Sequence, residues 1–276
     1  MKTLSKKFPV IFFIFFFILT ISCKKEEEKK EAPAIPPAST MQLDASSFDT
    51  TKKIMNEQIN LRAFPLTKAN WLHAAGNVLV WNVVLTVGLA VPVASFYESF
   101  NHTASQTSDN VWEWTYGFKA LNIDHTAKLR TTLQSDNTVK WEMFISKANS
   151  FTDFLWYSGT SDLANSTGTW TLNDNPTSKK ALLSITWNRN TTSGTADTKY
   201  MNIVPGGVEN GGYIHYGITS DATFNAYYKI FNKGKNNLTD IKWNRTTKVG
   251  QVTDSIKFKD TQWHCWDAQL NDAVCN

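Results

Sequence analysis

WEWTYGF (residues 112–118) places Trp112, Trp114, Tyr116 and Phe118 on one side of an extended chain. Glu113 and Thr115, with Lys119 just beyond, fall on the other. Side chains alternate across a strand, so this period of two marks a strand with one face in a core and one in water. The same texture continues downstream. In TVKWEMFIS (residues 138–146), Val139, Trp141, Met143 and Ile145 alternate with Lys140 and Glu142, and Phe144 breaks the rule. Short polar stretches separate such runs: SDN at 135–137, DNPTS at 174–178, TSGTAD at 192–197, PGGVENGG at 205–212, TSD at 219–221 and NKGKNN at 232–237. These have hairpin length and hairpin residues.

Eleven strands follow, at 112–121, 127–135, 138–147, 152–159, 167–173, 179–189, 198–204, 212–219, 223–232, 239–246 and 252–259. Their succession without intervening helices implies a mainly β fold. The expected form is an antiparallel meander of about eleven strands curled into a barrel or half-barrel.

One segment stands apart. Residues 69–100 carry no Asp, Glu, Lys or Arg before Glu98. Such a run is long enough to span a bilayer, but His73, Asn77, Asn82, Thr86 and Ser95 interrupt it and no basic cluster follows. A helix apolar all round also suits the centre of a domain, and VVLTV would suit a buried strand. The expectation is a buried helix inside or against the curved sheet, ended or kinked near Val91 by Pro92. Upstream, residues 43–66 carry a weak helical pattern that Asp49-Thr50 could cap.

The N-terminus carries targeting information. Lys2, Lys6 and Lys7 precede FPVIFFIFFFILTIS, which ends at Cys23. This is the layout of a secretory signal peptide, residues 1–22. Residues 23–42, beginning CKKEEEKKEAPAIPPAST, read as a disordered tether that cannot bury apolar area. The folded domain is expected over 43–276, with its strands between 111 and 260. A Cys directly after Ser22 resembles the lipobox of bacterial lipoproteins, although Thr20 stands where Leu is usual. The Lys-acidic run behind it resembles the surface-export signal of Bacteroidota lipoproteins. The resemblance implies lipid on Cys23, a membrane partner through that lipid, and an outer-membrane location facing the periplasm or the outside.

Without residues 1–22 the chain has 25 basic and 24 acidic residues. No basic stripe remains to argue for nucleic acid. Cys265 and Cys275 are then the two remaining thiols, and an oxidising compartment favours pairing them across the segment 261–276. A metal pair with His264 is the alternative and lacks a fourth ligand nearby.

Catalytic motifs are absent from the sequence: no GxSxG, no HExxH, no phosphate loop and no alternating-Asp Ca²⁺ loop. Asp124-His125 reads as a solvated pair in a turn. Glu113 and Glu142 could serve a glycosidase but stand on the polar face without a second carboxylate at useful spacing. No cofactor or metal is implied. Aromatics are the stronger signal, with eleven Trp. Trp112, Trp114, Trp141, Trp170, Trp187 and Trp243 could line a ligand cavity for an apolar molecule or a sugar ring, or fill a core.

ITWNRNTTSG (185–194) and IKWNRTTKVG (241–250) share six of ten positions. Ile, Trp and Arg at i, i+2 and i+4 share a strand face, and the Asn, Thr and Gly open a turn. An even number of hairpin steps separates the copies, so Arg189 and Arg245 should emerge at one rim, where they could meet an anionic ligand. Asn190 and Asn244 also sit in N-x-S/T triplets, read as turn chemistry. Asp49-Thr50-Thr51 and Asp254-Ser255-Ile256 resemble the three-residue O-glycosylation signal of Bacteroidota envelope proteins.

An apolar helix followed by antiparallel strands resembles, in architecture alone, the half-barrel of the LolA/LolB lipoprotein carriers. Three functions are expected to compete: a non-enzymatic envelope binding or structural module, a carrier of lipid or another apolar ligand in a cavity between helix and sheet, and a surface glycan hydrolase.

Overall fold

The computed structural model describes residues 30–48 and 68–275. Fourteen strands form one sheet in strict sequence order, each antiparallel to the next. They are β1 (Ser105–Ser108), β2 (Val111–Ala120), β3 (Ile123–Leu133), β4 (Thr138–Lys147), β5 (Phe151–Asp162), β6 (Thr167–Asn173) and β7 (Ala181–Asn190). Then come β8 (Thr195–Asn202), β9 (Tyr213–Ile218), β10 (Ala226–Asn232), β11 (Asn237–Trp243), β12 (Gly250–Asp254), β13 (His264–Trp266) and β14 (Asp272–Ala273). The expected strands correspond one for one to β2–β12. Three more, β1, β13 and β14, extend the ends; they are only 4, 3 and 2 residues long. The last expected strand stops at Asp254 and gives way to a short helix, α3 (Ser255–Phe258).

The sheet does not close into a barrel: β1 and β14 are its edges and pair only inward. Two helices occupy its inner face, α1 (Ala69–Gly88) and α2 (Ala90–Ser99). α2 packs against β2, and α1 against β10–β14, so the pair touches both ends of the strand order. The chain breaks between them at Leu89, not at Val91. Pro92 lacks the N–H that would reach Gly88, and its ring would meet that carbonyl in a continuous helix; in the first turn of α2 neither matters.

β2 alternates as its sequence demands, with Trp112, Trp114, Tyr116, Phe118 and Ala120 buried. Phe144 faces outward, where Lys128 and Arg130 lie 5.5 and 5.4 Å from its ring centre. Those cations give the half-buried ring partners on the outer face and explain the break in the pattern. Asp124-His125 lies inside β3 instead of a turn, and His125 is buried, stacked on Phe118 at 5.2 Å.

The compact body begins at Ala32, not at Leu43. Pro36, Thr40, Met41, Leu43 and Phe48 are buried. Thr40 accepts a hydrogen bond from Trp170 Nε1 at 3.2 Å, and the Ala34 carbonyl accepts one from Asn165 at 2.9 Å. A Pro-rich segment is already extended, so laying it along the sheet costs little further entropy. The expected helix within 43–66 falls mostly on residues 49–67, outside the described residues; Ser46–Phe48 forms a single 3₁₀ turn.

Successive connections alternate between the two ends of the sheet. The β1–β2, β3–β4, β5–β6, β7–β8, β9–β10, β11–β12 and β13–β14 turns make one end. The other six make the opposite end. This division decides where charge and cavity fall.

Candidate functional site

The described residues enclose a cavity of about 1000 Å³ between the C-terminal half of α1 and strands β7–β12, at the end formed by the six even-numbered connections. Its volume is at the top of the range of small-ligand sites. α1 supplies one apolar wall through Val80, Trp81, Val84 and Leu85. Leu182 and Leu183 of β7 and Ile230 of β10 supply the facing wall.

Local sequence explains why α1 opens a space here. Its first half buries Trp71, Ala74, Ala75 and Val78 on one stripe. Asp272 accepts hydrogen bonds from the N–H groups of Ala69 and Asn70 at 3.1 and 2.9 Å, satisfying two orphan donors of the first turn. Asn70 donates to the Cys265 carbonyl, and Cys265 and Cys275 lie at disulfide distance with Cα atoms 5.2 Å apart. The second half is different: Val80, Val83, Val84 and Val87 are 45–72 % exposed. Their spacing puts all four on one helix face. By length and composition α1 could cross a bilayer, but its N-terminal half is tied into the sheet.

One wall of the cavity is polar. His73 of α1 donates from Nε2 to Asp254 Oδ2 at 2.8 Å. Asp254 is 5 % exposed. Thr239 Oγ1 also donates to Oδ2 at 2.9 Å, while Oδ1 accepts from Asn237 Nδ2, Ile256 N and Lys257 N at 2.9, 3.1 and 3.0 Å. Burial by itself would raise this carboxyl. Hydrogen bonds from the Lys257 N–H, Asn237, His73 and Thr239 outweigh it and hold the pKa at about 2. Asp254 is thus an ionised N-cap for α3 and an orienter for His73. In the neutral ring its proton is kept on Nε2, leaving Nδ1 as an acceptor. Among the described residues the His73 ring bonds Asp254, the His73 carbonyl accepts from Asn77 Nδ2 at 2.9 Å, and no hydroxyl or thiol bonds the ring itself. Chemically the arrangement offers an apolar chamber with a hydrogen-bonding patch on its wall.

The residues expected to line a site lie elsewhere. Trp112, Trp114, Trp141 and Trp187 are 0–5 % exposed core residues, and none borders this cavity. Trp243 borders a separate hollow of about 230 Å³ with Phe48, Trp71 and Trp266. Several of these rings pack over glycines on the neighbouring strand: Trp170 opposite Gly159, Trp187 opposite Gly168 and Trp266 opposite Gly250. A Cβ at Gly168 would stand 2.0 Å from Trp187 Cζ2.

This last pairing revises the reading of the paired WNR motif. Each copy ends in the same turn. Asn190 Oδ1 accepts from the N–H groups of Thr192 and Ser193, all at 3.0 Å, and Asn244 Oδ1 does the same with Thr246 and Thr247. The left-handed residue four places on is Gly194 in the first copy but Lys248 in the second. The second turn therefore starts two residues earlier in the motif, and Gly250 serves β12 beneath Trp266 instead of the turn. Arg189 and Arg245 do emerge at one end, opposite the cavity mouth. Arg245 follows β11; burial pushes the Asp44 carboxyl up, and the Ser46 and Tyr216 hydrogen bonds, with the Arg245 charge after them, outweigh it and lower its pKa.

Glu113 and Glu142 stand on the outer face on either side of Arg130, in register with it. Glu113 accepts from Arg130 Nε at 2.7 Å and Glu142 lies 2.9 Å from Lys140 Nζ. Asp254-Ser255-Ile256 has its carboxylate buried in the cap, and Ser255 is exposed; Asp49-Thr50-Thr51 lies outside the described residues. The sequence signal for the polar wall was present: His73 and Asn77, four apart, share one face among the few polar residues of a mostly apolar helix. No family model matches the chain, and neither do the curated proteins or the solved structures compared with it.

Proposed function

We propose that the protein is a lipid-anchored cell-envelope binding protein that carries an apolar ligand, such as an acyl chain, between α1 and the sheet. The observation that carries this reading is the cavity of about 1000 Å³ with apolar walls on both sides. A folded core normally closes such space, because unfilled contacts cost stability. Persistent apolar volume with a few fixed polar groups is the usual make-up of a small-molecule site. The anchor rests on Cys23 and the charged run behind it. The paired His73 and Asp254 give the ligand's polar end a place to bond, and nothing in this reading requires a reaction.

A fluorescent anthroyloxy fatty acid tests it. The protein should take up about one probe per chain with a blue-shifted emission. Leu182→Trp, which fills the chamber from β7, should weaken uptake at least about 10-fold while leaving the fold intact. Equal uptake by the Leu182→Trp protein would count against the chamber as the site.

A further inference from the structure

We infer that the end of the sheet carrying the cavity mouth docks onto an anionic bilayer surface, so that an apolar ligand passes between bilayer and cavity without crossing water. The inference rests on the apolar-ligand reading and adds the partner and the face.

Charge is divided between the two ends. The connections at the mouth end carry Lys179, Lys180, Lys233, Lys235, Lys257 and Lys259 against Asp174, Glu209 and Asp260. The connections at the other end carry Asp109, Asp136, Asp221 and Asp267 against Arg245 and Lys248. All six mouth-end lysines are exposed. Among the described residues none of them has a carboxylate within 4.0 Å, whereas Lys119, Lys128 and Lys140 on the sheet do. Cations left free of partners while the same fold pairs others nearby suit an external anion.

Apolar residues stand within this basic ring. Val208 is 80 % exposed at the tip of the β8–β9 connection, Ile256 is exposed on α3, and Val83 and Val87 extend the apolar face of α1 past the mouth. Lysines around exposed aliphatic side chains are the composition of an interfacial membrane surface. Val80, Val84 and Ile256 also line the cavity, so the exposed patch and the chamber are one continuous apolar surface.

The mature chain with Cys23→Ser keeps every described residue and carries no acyl anchor. A single environment-sensitive fluorophore is placed on Val208→Cys at the mouth or on Thr192→Cys at the other end. The vesicles are phosphatidylcholine containing about one third phosphatidylglycerol, with brominated acyl chains as quencher. The protein should float with these vesicles and not with pure phosphatidylcholine. The label at 208 should be quenched, the label at 192 should not, and added salt should release the protein. Changing Lys179, Lys180, Lys233 and Lys259 together to Gln should raise the vesicle concentration needed by at least about 100-fold. Uptake of the fatty-acid probe in solution should not change in that variant. Absence of flotation, equal quenching at both labels, or unaltered binding by the four-lysine variant would overturn the docking. Loss of probe uptake in the parent protein would overturn the cavity reading and not the docking.

Discussion

Replacing Asp254 by Asn removes a buried charge and leaves the shape. The Asn amide oxygen can still cap α3 by accepting from Ile256 and Lys257, while its NH2 takes the place of Oδ2, so His73 and Thr239 lose their acceptor together with the charge. The carboxyl is held at about 2 against an ordinary 3.8. At about 1.4 kcal/mol for each tenfold change in acidity, the folded protein gains roughly 2 kcal/mol from keeping it ionised. Because the folded pKa is depressed, that stability is present above about pH 4 and is lost as pH falls from about 4 to about 2. Urea unfolding followed by Trp fluorescence should find Asp254→Asn about 2 kcal/mol less stable at pH 7. In thermal unfolding this is a drop of about 4–8 °C for a domain of this size. The gap between parent and variant should stay level from about pH 5 upward through this group, then close toward pH 2. A variant within about 0.5 kcal/mol of the parent at pH 7, or a gap that does not narrow below pH 4, would refute the reasoning.

Other outcomes follow from the same structure. Gly168→Ala should cost at least about 2 kcal/mol, because its Cβ would sit 2.0 Å from Trp187 Cζ2 and 2.7 Å from the Thr160 carbonyl oxygen. Gly76→Ala, in mid α1 with nothing within 4 Å of the added carbon, should raise stability by about 0.5–1 kcal/mol; chemical denaturation of both reads the contrast. Replacing Cys265 and Cys275 together by Ser opens a loop of 10 residues and should cost about 3 kcal/mol. It should also quicken amide exchange at Ala69 and Asn70, whose acceptor Asp272 lies within that loop.

Strand existence was legible because each long strand pays for its place with alternating side chains, as 112–118 does. β1, β13 and β14 were not: SQTS has no apolar residue to alternate, and 3 and 2 residues are too few to carry a period. Closure was not legible either, since it depends on whether the edge strands are long enough to meet. The strand Trp residues announced themselves by composition, yet Trp112, Trp114, Trp141, Trp170 and Trp187 are core, and opposing glycines give the rings of Trp170 and Trp187 room; the Trp that borders the chamber is Trp81 of α1. The chamber is built from Leu182, Leu183 and Ile230 facing Val80 and Val84, positions that only the meander brings together. Its polar wall left a trace in His73 and Asn77. Asp254 left a misleading one: the residues after it continue an extended pattern, but its carboxylate caps a helix.

The most direct test of the account is native mass spectrometry of the full protein extracted from its own membrane in mild detergent, with the released material identified by solvent extraction. The account predicts one apolar molecule per chain beyond any covalently attached acyl groups, lost from the Leu182→Trp protein. A chain that flies at its covalent mass alone, and that also takes up no fatty-acid probe in solution, would contradict it.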